Sequence, residues 1–140
     1  DLYEFVELVN ADNHTVDLSG FSFGAGITYT FPAGASIAAG EIIVVAKAAG
    51  SYTAALPGVQ VFQWTSGSLD NGGEQVALLD ADGNDIDRLT YDDIAPWPTG
   101  PDGNDGTSLS LLATNLDNAL AASWSPSAAA NGTPGAVNFP

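Results

Sequence analysis

Short β-rich runs, each closed by Gly, Pro, Asn or Asp, constrain this chain more than any other feature. They recur about every 8–12 residues, the spacing of an antiparallel sandwich or barrel. The runs are Leu2–Val9, Val16–Phe23, Ile27–Phe31, Glu41–Lys47, Val59–Trp64, Glu74–Leu79, Asn84–Tyr91 and Thr107–Leu112. Helical periodicity is nearly absent; a short helical turn is expected only within Leu116–Trp124. Ala136–Phe139 reads as a short closing strand. Within Glu41–Lys47, Ile42-Ile43-Val44-Val45 is apolar without alternation, the pattern of a strand buried on both faces. In the first run, Val6 and Leu8 share one face, and Phe5, Glu7 and Val9 share the other. Asp80-Ala81-Asp82-Gly83 joins two runs as a hairpin, with Gly83 supplying positive φ. The reading is all-β, seven to nine strands in one domain over residues 1–140. Its predicted core is Val6, Leu8, Leu18, Phe21, Ile43, Val45, Val76, Leu78, Leu109 and Leu111.

Charge and composition narrow the function. Seventeen Asp and Glu face one Lys and one Arg, a formal charge of −15. Such a surface repels nucleic-acid phosphate and anionic lipid, because binding either needs basic side chains. Trp64, Trp97 and Trp124 have no basic neighbours to form a stacking platform for bases. No apolar run approaches the roughly 18 residues of a membrane span. With no cysteine, disulfides and zinc–thiolate sites are excluded. Cations and proteins are the partners that remain.

The residues offer little to catalysis. His14, the single histidine, falls in the turn Ala11–His14, and no serine sits in a nucleophile-elbow pattern. Lys47 ends an apolar strand, and Arg88 stands among Asp residues. Glu4 and Glu7 are three apart on a strand and so point to opposite faces, unsuited to a paired-carboxylate mechanism. Glu7 shares its face with Phe5, which predicts a half-buried carboxylate accepting hydrogen bonds from a loop. The expectation is a protein that is not an enzyme.

Metal binding is the stronger possibility. Asp80, Asp82, Asp85, Asp87, Asp92, Asp93, Asp102 and Asp105 are clustered in sequence, and hard oxygen ligands suit Ca²⁺. Asp80-Ala81-Asp82-Gly83 fails as an EF-hand loop, since its Gly comes too early and no Glu closes it. The Pro/Gly-rich loop Pro96–Gly106 is better placed to wrap an ion; the alternative reading of the same residues is a solvated loop of Asx turns. The candidate ligands are Asp92, Asp93, Asp102, Asn104 and Asp105.

Several motifs in order carry a family resemblance. Glu4-Phe5-Val6-Glu7-Leu8-Val9-Asn10 followed by Val16-Asp17-Leu18-Ser19-Gly20-Phe21 resembles the opening of the lamin-tail domain family. Phe31-Pro32-Ala33-Gly34 through Gly40–Ala46, Leu69–Asp80, Trp97–Pro101, and Ser123–Pro126 with Gly132–Gly135 resemble its later motifs. The resemblance spans nearly the whole chain. It implies an immunoglobulin-like β-sandwich and, in prokaryotes, a module of exported or surface proteins. A Trp is usual in the family where Phe5 and Phe21 stand. An earlier strand is also usual before Glu4, so the resemblance implies a domain that lacks its first strand or receives it from another chain. Two functions are therefore expected. One is a non-catalytic structural or protein-interaction module, extracellular or at the cell surface. The other is a filament subunit joined by strand exchange at an exposed edge and strengthened by calcium or other divalent cations.

Overall fold

The computed structural model of the chain describes residues 2–102 and 106–136; of Asp102 it describes the backbone. Its strands are β1 (Phe5–Val9), β2 (Val16–Asp17), β3 (Ser22–Ala25), β4 (Ile27–Thr30), β5 (Ser36–Ile37), β6 (Ile42–Ala46), β7 (Val61–Gln63), β8 (Ser66–Gly67), β9 (Gln75–Leu79), β10 (Asp85–Thr90), β11 (Leu109–Leu111) and β12 (Trp124–Pro126). Three single-turn 3₁₀ segments, Ala49–Ser51, Gly100–Asp102 and Ala121–Ser123, are the only helical elements among the described residues. Of the twelve strands among the described residues, β2, β5 and β8 are two-residue pairings, which leaves nine longer ones.

The main sheets run β1-β6-β7 and β10-β9-β3-β4-β8. Their facing sides enclose Leu18, Phe23, Ile27, Phe31, Ile37, Ile43, Val45, Trp64 and Leu78, with Val6, Leu8, Phe21 and Val76 packed around them. Phe31 anchors the aromatic part, with T-shaped contacts to Tyr29 and Phe62 at centroid distances of 5.0 and 5.1 Å. This is a β-sandwich, as the spacing of the runs predicts.

The apolar run of β6 is explained by its two neighbours. Ile43 and Val45 enter the sandwich core. Val44 and Ala46 enter a second cluster on the outer face, with Tyr52, Phe5, Leu56, Val59 and Val61. Segment 47–60 supplies the cover: it leaves β6, folds over the sheet and returns to pair β7 parallel to β6.

The structure corrects two expectations. Val16–Phe23 is not one strand. The Asp17 carboxylate accepts the backbone N–H (2.9 Å) and hydroxyl (2.6 Å) of Ser19, and Gly20 turns at φ +77°. This local side-chain bonding outcompetes the ladder and splits the run into β2 and β3. Leu109 and Leu111 are not in the core either. They lie half-buried on β11, which among the described residues forms a two-stranded sheet with β12. Their alternation reads like that of a core strand, but the sheet they complete is a separate two-stranded unit. The helical turn expected within Leu116–Trp124 is the 3₁₀ segment Ala121–Ser123. The closing strand expected at Ala136–Phe139 lies outside the described residues beyond Ala136.

Candidate interaction edge

Strand β1 forms one border of its sheet. Its pairing with β6 is antiparallel, Phe5 opposite Ala46 through Val9 opposite Ile42. Just outside that ladder, Lys47 N–H donates to the Glu4 carbonyl and Asn10 N–H to the Glu41 carbonyl, both at 3.0 Å. Antiparallel pairing alternates, so Glu4, Val6, Leu8 and Asn10 direct their backbone groups at β6. Phe5, Glu7 and Val9 direct theirs the other way, and among the described residues no backbone partner meets them. Beside this edge runs an open groove of about 1320 Å³, bounded by β1, β10 and β11, with Val9, Ile86, Leu89, Leu109, Leu111 and Leu116 among its lining. Val9, Ile86 and Leu116 are exposed there.

Charged and polar side chains hold both ends of β1. At its start, Lys47 Nζ meets Glu4 Oε1 at 3.2 Å and donates to Ser68 Oγ at 2.7 Å. The other Glu4 oxygen accepts the Leu69 N–H at 2.8 Å. Lys47 is therefore a partly buried clamp at the end of its apolar strand. The Tyr52 hydroxyl donates to the Tyr3 carbonyl. At its far end, buried Asn10 donates to the carbonyls of His14 (2.8 Å) and Ile37 (3.1 Å) and accepts the Asp12 N–H (3.0 Å). This fixes the turn into β2, where His14 stands exposed with Nδ1 3.4 Å from Asn13 Oδ1.

The C-terminal strap, residues 131–136, crosses the outer face of β1. A side chain on Gly132 would collide with Ser108 Oγ and crowd Phe5. Gly135 sits against Val59 and Leu56, and its backbone N–H donates to the Glu7 carboxylate. Burial raises the Glu7 pKa from 4.5 to about 7, and the Gly135 bond only partly offsets it. The predicted half-buried Glu7 served by a loop is thus present. The identity of the loop was not readable, because the strap and β1 are far apart in sequence.

The metal candidates fare differently. Asp92 Oδ1 accepts the N–H groups of Asp93 (2.8 Å) and Ile94 (3.3 Å), an Asx-type turn. Both Asp92 and Asp93 are half-buried. Asn104, Asp105 and the Asp102 side chain lie outside what is described. Among the described residues, no three His, Cys, Asp or Glu side chains stand together to hold a metal ion. Asp80 is likewise a turn residue: its Oδ1 accepts the N–H groups of Asp82 and Asn84, each at 2.9 Å. No helix among the described residues is long and apolar enough to cross a membrane.

The two packed sheets define an immunoglobulin-like β-sandwich. The chain belongs to the Lamin Tail Domain family, whose model matches residues 1–93. The match ends just after β10, so the motifs at Trp97–Pro101 and Ser123–Gly135 lie beyond it, with β11, β12 and the strap. No curated protein matches the chain.

Proposed function

We propose that this domain is a non-catalytic interaction module of an exported protein, whose partner joins as an extended strand along β1. The observation that carries the reading is the row of outward backbone groups at Phe5, Glu7 and Val9 beside an apolar groove. An open edge of this kind templates strand addition: main-chain bonds supply affinity and alternate side chains supply specificity. The exposed Val9 and Ile86 would receive the apolar side chains of the incoming strand. Extracellular or cell-surface placement fits the absence of cysteine and the strongly acidic surface, which stays soluble in salty media.

A second reading is favoured by the path of the strap. Its last described residue, Ala136, lines the same groove. The sequence that follows, Val137-Asn138-Phe139, alternates apolar and polar as a strand does. In this reading the tail of one copy pairs with β1 of the next, and a heterologous contact of that kind grows into a filament. At −15 per subunit, such assembly strengthens with salt or divalent cations.

Sedimentation and electron microscopy across salt and Ca²⁺ test both. Val9→Pro removes one outward N–H and leaves the β6 ladder intact. Association with a partner or with itself should be lost in that variant while its cooperative melting is kept; binding unchanged by Val9→Pro refutes the edge. Deleting Ala136–Pro140 separates the readings. Filaments that survive the deletion are not built by the tail, and a chain that stays monomeric at every salt concentration is the simple module.

A further inference from the structure

Two segments of the chain read Asn-x-Thr: Asn13-His14-Thr15 and Asn131-Gly132-Thr133. This tripeptide is the acceptor signal for N-linked sugars, and it functions on surface loops of exported chains. The two copies differ in the structure at the residues that follow the asparagine.

Asn13, His14 and Thr15 are all exposed, at the tip of the turn between β1 and β2. Asn13 engages only its neighbour, at 3.4 Å to His14 Nδ1. The turn is held from beneath by Asn10, whose amide bonds to His14 and Ile37 leave Asn13 outside the network. A bulky group on Asn13 Nδ2 would point into solvent without disturbing a packed contact.

In the second copy Asn131 is exposed as well, but the two residues after it are folded in. The Thr133 hydroxyl is buried and has no hydrogen-bond partner among the described residues. Gly132 packs against Ser108 and Phe5, and Asn131 is held in the left-handed region at φ +68°. Pro134 follows Thr133 directly and restricts it to extended conformations even in the unfolded chain. The hydroxyl that an acceptor segment must present is therefore hindered both before and after folding.

We propose that Asn13 carries an N-linked oligosaccharide and that Asn131 does not. The donor would be a lipid-linked oligosaccharide phosphate or pyrophosphate. Asn13 Nδ2 bonds to the anomeric carbon of the first sugar, the lipid phosphate departs with the electron pair of the broken C–O bond, and Nδ2 gives up one proton. The sugar stands at the end of β1, beside the groove residues Asn10, Ala11 and Asp12. There it leaves the edge open along Phe5–Val9 and shields the turn.

The inference rests on the exported placement proposed above, and the test keeps the two apart. Lys47 and Arg88 are the only basic residues, so trypsin separates the segments cleanly. Asn13 falls in the peptide ending at Lys47, and Asn131 in the peptide beginning at Leu89. Protein recovered from its own producing cells, from medium and cell fractions separately, is digested and weighed by mass spectrometry. The Lys47 peptide should be heavier by whole monosaccharide residues, and Asn13→Gln or Thr15→Ala should remove the increment. The Leu89 peptide should show no sugar, and Asn131→Gln should change nothing. A Lys47 peptide at its sequence mass overturns the assignment whichever fraction holds the protein. An increment that survives Asn13→Gln, or one found on Asn131, overturns it as well. The fraction in which the protein is found tests export independently.

Discussion

Replacing Glu7 with Gln isolates the one carboxyl among the described residues that the fold moves into the neutral range. Its pKa rises from 4.5 to about 7, chiefly because β1 and the strap remove it from water. At about 1.4 kcal/mol per pH unit, ionising Glu7 in the folded chain costs about 3 kcal/mol more than in the unfolded chain. Residual solvent contact trims this to about 2–3 kcal/mol. The sign follows from proton binding. Below pH 4.5 both states hold the proton and Glu7 contributes no pH dependence. Between 4.5 and about 7 the unfolded chain releases its proton while the folded chain keeps it, so stability falls as pH rises. Above about 7 the loss is complete. The carboxyls of Asp17, Asp80 and Asp85 are held below their usual 3.8 by hydrogen bonds and so titrate outside this window. The amide introduced by Glu7→Gln would keep an oxygen for the Gly135 N–H and cannot ionise. Urea unfolding followed by tryptophan fluorescence, at constant ionic strength from pH 4.5 to 8, reads the difference. The two proteins should be nearly equal at pH 4.5, and the Glu7→Gln variant more stable by about 2–3 kcal/mol at pH 8. A gap that stays constant with pH, or one that grows in favour of the wild type, would refute the burial argument.

Other perturbations test the remaining structure. Ile43→Ala should cost about 2–5 kcal/mol in denaturant unfolding, because Ile43 is fully buried at the centre of the sandwich; an unchanged midpoint would contradict the packing. Asn10→Ala should cost about 1–3 kcal/mol, since it strands the buried Ile37 carbonyl and frees the turn. Amide exchange should rise first at Asp12, whose N–H the Asn10 side chain accepts. If Ca²⁺ is held by Asp92, Asp93, Asp102, Asn104 and Asp105, saturating Ca²⁺ at about a hundred times Kd should add about 2.7 kcal/mol. Identical melting midpoints with Ca²⁺ and with chelator would remove that set as a calcium site. Turnover of an ester, glycoside or phosphodiester that is abolished by His14→Ala would overturn the non-catalytic reading.

The legible parts of this fold are those fixed by neighbours in sequence. Four consecutive apolar residues in β6 could be satisfied only by burial on both faces, and both clusters are there. Asp80 to Asn84 forms the expected turn because its bonds close within five residues. What depended on distant partners could not be read. An exposed edge at β1 is implied by the family resemblance, but which of its backbone groups face outward is fixed by the pairing of Phe5 with Ala46. Leu109 and Leu111 alternate as core residues do, and only the pairing of β11 with β12 shows that they line a groove. Asp17 looks like an ordinary interruption of a strand, yet its bonds to Ser19 end one strand and begin another. At the candidate site, the placement of Glu7 beside Phe5 was visible in the two-residue period, whereas its cover by Gly135 was not. The role of Asp92 as a turn residue also depends on a local geometry that its acidic neighbours conceal.

The two-sided burial of β6 has a consequence for how the molecule opens. The inner and outer clusters share one strand, so neither can melt while the other stays intact. The amides of Val44 and Val45 should therefore exchange with deuterium only through whole-domain unfolding. The outward amides of Phe5, Glu7 and Val9, on the same sheet and one strand away, have no backbone partner among the described residues and should exchange without unfolding of the sheet. An edge that trades hydrogens freely is thus mounted on a strand that almost never does, and a strand added along β1, as proposed above, would come and go without loosening the body that presents it.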